Sequence, residues 1–148
     1  MWNFPPDNPS FRACISHMTE DPVQILNAVK TVAMVGASPR ANRPSYDVLG
    51  WMKDRGYDMI PINPNPDVTE IHGLPVVRSL AEVDRPIDMV QVFRQPEHLY
   101  GIAQEAIDVG AKVLWGQLGV VDEVAADLAR RAGLQVVMNR CPKIELAR

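Results

Sequence analysis

Short, continuously apolar runs alternate along this chain with stretches in which apolar residues recur every three or four positions. The runs are Thr31-Val32-Ala33-Met34-Val35, Tyr57-Asp58-Met59-Ile60-Pro61-Ile62, Ile87-Asp88-Met89-Val90-Gln91-Val92-Phe93, Lys112-Val113-Leu114-Trp115 and Leu134-Gln135-Val136-Val137-Met138. Their length and continuity predict strands covered on both faces. The intervening stretches predict helices. One starts at Asp21-Pro22-Val23-Gln24, where Asp21 caps, Pro22 suits the first helical position and Gln24 can close a capping box. A second starts near Pro44 or Ser45 with Val48, Leu49 and Met52 on one face. A third opens at Pro96 with Leu99, Ile102, Ala103 and Ala106, and a fourth opens at Asp122 with Ala125, Leu128 and Ala129. Gly56, Gly110 and Gly133 stop three of these helices just before the next strand, because glycine takes the left-handed conformation that closes a helix. A weaker segment, 74–77 followed by 79–83, predicts a short strand and one helical turn.

Strands that alternate with helices pair in parallel, since each parallel return needs a crossover. The expected fold class is therefore α/β: a Rossmann-like, doubly wound, mostly parallel sheet of about five strands with helices on both faces. Residues 1–19, with Pro5, Pro6 and Pro9 beside Trp2, Phe4 and Phe11, read as an extended N-terminal arm, and residues 20–148 as the domain. The composition is that of a soluble globular chain, 47% hydrophobic and 22% charged over 148 residues. A net charge of −3 and the absence of a Lys/Arg run argue against nucleic acid as a partner. No window approaches the ~18 apolar residues of a membrane span. The two cysteines, Cys14 and Cys141, stand far apart, and the N-terminus lacks the pattern of a signal peptide, so a cytoplasmic protein with reduced thiols is expected.

In such sheets ligands bind beyond the carboxyl ends of the strands, where the strand order reverses. The first strand exits into Gly36-Ala37-Ser38-Pro39-Arg40-Ala41-Asn42-Arg43-Pro44-Ser45, and the helix that follows presents free backbone N–H groups and a positive dipole end. That is a site for a diphosphate. Arg40 and Arg43 add charge, and Ser38 and Ser45 add hydroxyl donors. The competing reading is a plain connection whose arginines face solvent. The dinucleotide fingerprint G-x-G-x-x-G is incomplete, since Gly36 lacks its two partners, and the second strand ends in Asn63-Pro64 with no acid for a ribose. An NADP-type small reductase that uses arginine instead remains an alternative.

The other candidates carry less. His17, His72 and His98 share no metal-ligand spacing, so no metal is expected. Ser38 lacks the elbow of a nucleophile, and no catalytic constellation stands out, which leans the reading away from an enzyme. Arg94 follows a strand and faces the expected crevice. Trp51 and Trp115 are expected in the core, His98 on the surface, and Asp58 and Asp88 solvated at the opposite edge. Cys141 is read as a small buried side chain, with a reactive thiol as the alternative.

The segments 35–46, Ile62-Asn63-Pro64-Asn65, Gly73-Leu74-Pro75-Val76, 88–94, Gly110-Ala111-Lys112, Gln117-Leu118-Gly119 and 139–145 together resemble the small stand-alone CoA-binding domain proteins. The resemblance covers roughly residues 24 to 146. That family is similar to the CoA-binding domain of succinyl-CoA synthetase alpha subunits and of ADP-forming acyl-CoA synthetases. The resemblance implies coenzyme A as the cofactor. Gly36, Ala37, Ser38, Arg43, Pro44 and Ser45 would cradle its phosphates, Asn63 and Pro64 would border the adenosine, and Val92, Phe93 and Arg94 would line the next strand's exit. Cys141 would stand near the thiol end. Two departures limit it. The synthetases' phosphorylated histidine belongs to a further domain, so their chemistry is not carried over. Where they often carry a lysine, this chain has Asn65-Pro66-Asp67, which leaves Arg43 or Arg40 for the 3′-phosphate. The expected function is binding of CoA or acyl-CoA. One half of a split acyl-CoA synthetase with a partner subunit, and a homo-oligomer joined through the arm, stay open.

Overall fold

A computed structural model describes residues 20–147. The expected arm at 1–19 lies outside the described residues, as do Cys14 and His17. The elements are α1 (Pro22–Ala28), β1 (Thr31–Val35), α2 (Pro44–Asp54), β2 (Asp58–Ile62), β3 (Glu70–Ile71), β4 (Leu74–Pro75), β5 (Met89–Val92), α3 (Leu99–Asp108), β6 (Val113–Gly116), α4 (Glu123–Arg131), β7 (Gln135–Val137) and α5 (Pro142–Ala147). Single 3-10 turns at Leu80–Glu82 and Pro96–His98 precede β5 and α3.

The five main strands form one parallel sheet in the order β2-β1-β5-β6-β7. Alternate residues along each strand face opposite layers. Ala33, Val35, Ile60, Val90, Val92 and Leu114 pack with α3 and α4, while Val32, Met34, Met59, Met89, Val113 and Trp115 pack with α1, α2 and α5. The fold is thus Rossmann-like, with helices on both faces, as the sequence predicts. Asp21 and Asp122 cap α1 and α4 by accepting from the N–H groups of Val23 and Gln24, and of Val124 and Ala125. Gly56, Gly110 and Gly133 close their helices at φ of 100°, 75° and 97°.

The N-terminal ends of the strands are tied by carboxylates that the sequence reading leaves to solvent. Asp88 accepts from the backbone N–H groups of Lys30 and Thr31 at 2.9 and 3.0 Å. Asp58 pairs side-on with Arg85 at 2.8 and 2.9 Å and accepts from Thr31 Oγ1 at 3.2 Å. The hydrogen bonds from Arg85 hold the Asp58 carboxyl below the usual carboxylate range. For Asp88, partial burial works against ionisation, but the bonds from Thr31 and Lys30, with Lys112 nearby, outweigh it, and its pKa is also lowered.

Further features depart from the sequence reading. A hairpin of two-residue strands, β3 and β4, turns at His72 and Gly73, whose φ values of 54° and 77° are both left-handed. The predicted short strand at 74–77 is divided: 74–75 belongs to that hairpin, and Val77 makes a single parallel bridge to Ile62. A helix, α5, also follows β7, and its six residues are too short a run to signal it in the sequence. Trp115 is fully buried, as expected, and donates from Nε1 to the Arg140 carbonyl at 2.8 Å. Trp51 is only half-buried, with the Arg55 guanidinium 4.7 Å above its ring.

Candidate functional site

The strand order reverses between β1 and β5: the chain leaves β1 toward β2 on one side and returns to β5 on the other. Their carboxyl ends therefore open the crevice in which open α/β sheets bind ligands. The two exits approach closely. Gly36 has φ of 90°, and a Cβ placed on it would stand 2.5 Å from the Phe93 carbonyl oxygen. Glycine is required there for the strand exits to meet, apart from any ligand.

The loop from Gly36 to Arg43 is fastened by its own polar groups. The N–H groups of Gly36 and Ala37 both donate to the Ile62 carbonyl, at 3.3 and 3.2 Å. The Asn63 Nδ2 donates to the Ala37 carbonyl at 2.9 Å, while its Oδ1 accepts from the Asn65 N–H at 2.8 Å. Ser38 N–H donates to Ser45 Oγ at 3.1 Å, and Arg40 N–H donates to Ser38 Oγ at 3.1 Å. Arg78, which the sequence reading passed over, braces the β2 exit: its guanidinium donates to the carbonyls of Asn63, Asn65 and Pro66. A charged side chain after a weak strand gave no signal of this role.

This network narrows the expected amide cradle. Gly36, Ala37, Ser38, Arg40 and Arg43 already use their N–H groups within the protein. The amides of Ala41, Asn42 and Ser45, and of Arg94 and Gln95 across the crevice, have no acceptor among the described residues. The hydroxyls of Ser38 and Ser45 act as acceptors in the bonds above, so each keeps its own hydrogen to donate.

The charge around this opening is one-sided. A cleft of about 340 Å3 is lined by Gly36, Ala37, Ser38, Arg40, Arg43, Pro44, Ser45, Asn63, Pro64, Phe93 and Arg94. The guanidinium groups of Arg40, Arg43 and Arg94 have no ion-pair or hydrogen-bond partner among the described residues. Three unpaired cations, two hydroxyls and a helix N-terminus in one concavity attract a polyanion. A second cleft of about 290 Å3 continues past Gly36 and Pro64 to Arg78, His98 and Glu105. A third, of about 450 Å3, continues past Pro44 and Phe93 to Pro96, Gln117 and Leu118. Arg94 lines all three.

Eleven of the thirteen expected site residues line the first cleft. Val92 and Cys141 do not. Val92 is fully buried in β5 against the α3 side, and Cys141 is buried just before α5 with Trp115 and Val137. His98 is exposed, as expected, and lines the second cleft. No His, Cys, Asp or Glu cluster with metal-holding geometry exists among the described residues.

The model of the CoA binding domain family matches residues 30–147. The chain belongs to that family. Among relatives of this CoA binding domain protein is YneT of Bacillus subtilis (strain 168), an uncharacterised protein 43% identical over 121 residues, which span 82% of this chain and 88% of YneT. A hypothetical protein from Pyrococcus horikoshii OT3 superposes with a TM-score of 0.82 at 32% identity, covering 100% of this chain and 98% of that one. A Thermus thermophilus structure superposes with a TM-score of 0.79 at 29% identity, covering 88% and 98%. No helix of this CoA binding domain protein, among the described residues, is long and apolar enough to cross a membrane.

Proposed function

We propose that this chain binds coenzyme A or acyl-CoA, with the diphosphate lying in the cleft between the β1 and β5 exits. The observation that carries the reading is the set of three arginines, Arg40, Arg43 and Arg94, without counter-ions around one cleft at the point where the strand order reverses. Ser38, Ser45 and the open amides of Ala41, Asn42 and Ser45 supply oriented donors. Gly36, Ala37, Pro44, Asn63, Pro64 and Phe93 shape the walls. Neighbouring clefts of about 290 and 450 Å3 on either side leave room for an adenosine at one end and an uncharged arm at the other. The family match supports CoA over other nucleotides. The incomplete glycine fingerprint and the missing ribose acid speak against a nicotinamide cofactor.

Thermal melting tests this reading. A ligand at about 100 times its Kd stabilises the folded state by about 2.7 kcal/mol. CoA is expected to raise the melting temperature clearly and NADPH to leave it in place. The reverse pattern would replace CoA by a dinucleotide.

A further inference from the structure

The third cleft differs in chemistry from the first. Pro44, Phe93, Pro96, Leu118 and Val120 supply most of its wall, and its one ionisable residue, Arg94, is shared with the phosphate cleft. Gln117 also lines it. That side chain is 6% exposed, and its Oε1 accepts from Gln91 Nε2 at 3.4 Å. Gln91 is wholly enclosed and its Oε1 has no partner among the described residues, and Gln117 Nε2 has no acceptor among them either. A nearly buried amide donor in an apolar wall is a site for a ligand carbonyl.

Leu118 lines this cleft, and the loop that carries it continues through Val120 of the cleft wall to Val121, exposing apolar side chains on a backbone that is held in place. Leu118 is 54% exposed and Val121 40%. Val120 N–H donates to the Gln117 carbonyl at 2.8 Å, and Gly119 N–H to Asn139 Oδ1 at 2.9 Å. The loop folds back so tightly that a Cβ on Gly116 would stand 2.5 Å from the Val120 carbonyl oxygen. Leu118 and Val121 are thus presented to solvent by a fixed backbone. The path from the arginines to Leu118 runs from cationic to apolar, which suits an occupant with an anionic end and an apolar end.

We infer that the ligand is a CoA thioester with an apolar acyl chain: the uncharged arm lies in the third cleft, Gln117 donates to one of its carbonyls, and the acyl chain covers Leu118 and Val121. The inference rests on the CoA reading of the neighbouring cleft. Free CoA would leave Leu118 and Val121 bare, so affinity should rise with chain length, by about tenfold for every two methylenes buried.

Isothermal titration of the full chain with CoA, acetyl-CoA and octanoyl-CoA tests this, with mass in solution measured alongside. Octanoyl-CoA is expected to bind at least tenfold more tightly than CoA, with acetyl-CoA between them. In Leu118→Asp, octanoyl-CoA should fall to within about threefold of CoA. In Gln117→Leu, which keeps the volume and removes the donor, all three ligands should weaken together by about tenfold, the usual scale of a lost hydrogen bond. Equal binding of CoA and octanoyl-CoA, an octanoyl preference that survives in Leu118→Asp, or a Leu118→Asp protein that changes its oligomeric mass would overturn the acyl assignment and leave the CoA reading standing. Failure of all three ligands to bind would overturn the CoA reading, and this inference with it.

Discussion

Replacing Arg94 by methionine separates a ligand-holding arginine from a structural one. Arg94 lines all three clefts and has no partner for its guanidinium among the described residues. Its stem packs against the β1 exit, where the Cδ lies 3.0 Å from the position a Cβ would take on Gly36. Methionine keeps that apolar stem and removes the charge. With no ion pair or hydrogen bond to lose, the free protein should change in stability by no more than about 0.5 kcal/mol. Loss of one cation beside Arg40 and Arg43 even relieves repulsion, although solvent screens it. At about 2–4 °C per kcal/mol for a domain of this size, the melting temperature should move by about 2 °C at most. Binding should respond very differently. A hydrogen bond to a charged group contributes about 1.5–3 kcal/mol, so the Kd for CoA should rise by roughly ten- to 150-fold. Titration calorimetry gives the second number and thermal melting without ligand gives the first. An unchanged Kd, or a melting temperature that collapses in the free protein, would refute the assignment of Arg94 to the ligand.

Other changes bear on the frame around the site. Gly36→Ala introduces a Cβ 2.5 Å from a carbonyl oxygen at a φ of 90° and should cost about 2–4 kcal/mol in chemical denaturation; a loss under 1 kcal/mol would show that the strand exits yield. Ser45→Ala leaves the Ser38 N–H without its acceptor at a 4%-exposed position, and should cost about 1–2 kcal/mol while weakening CoA binding about tenfold. The lowered pKa of Asp88 stabilises the fold at pH values above the ordinary carboxylate pKa, and that contribution disappears as pH falls through the lowered value. Asp88→Asn should therefore be less stable than the parent at pH 7, with the gap closing below about pH 4 in denaturation curves; a gap that persists into acid would remove the electrostatic explanation.

Much of this architecture was legible because its signals are local. Each main strand is an apolar run whose two faces are both covered, and Gly56, Gly110 and Gly133 mark helix ends by backbone necessity. The loop from Gly36 to Ser45 stood out because two arginines and two serines exceed what a turn needs. What sequence reading missed depends on partners far along the chain. Asp88 caps amides 57 and 58 positions away, and nothing around it announces that contact. Arg78 acts on carbonyls of the β2 exit across a segment with no periodicity. Gln91 and Gln117 meet only because β5 and β6 pair in register. Val92 shares its run with Phe93 and Arg94, but strand alternation turns its side chain into the core beneath α3 and α4. The amide cradle is smaller than the loop sequence implies for a related reason: the Ile62 carbonyl that engages Gly36 and Ala37 belongs to another strand.

Chemical-shift mapping of backbone amides during a CoA titration tests the central claim most directly, because it reads every N–H in the crevice at once. The account predicts that the largest changes fall on Ser38, Ala41, Asn42, Ser45, Arg94 and Gln95, with none at Lys30, Asp58 or Asp88 on the opposite edge. Saturable shifts confined to that opposite edge, or no shifts at millimolar CoA, would contradict it.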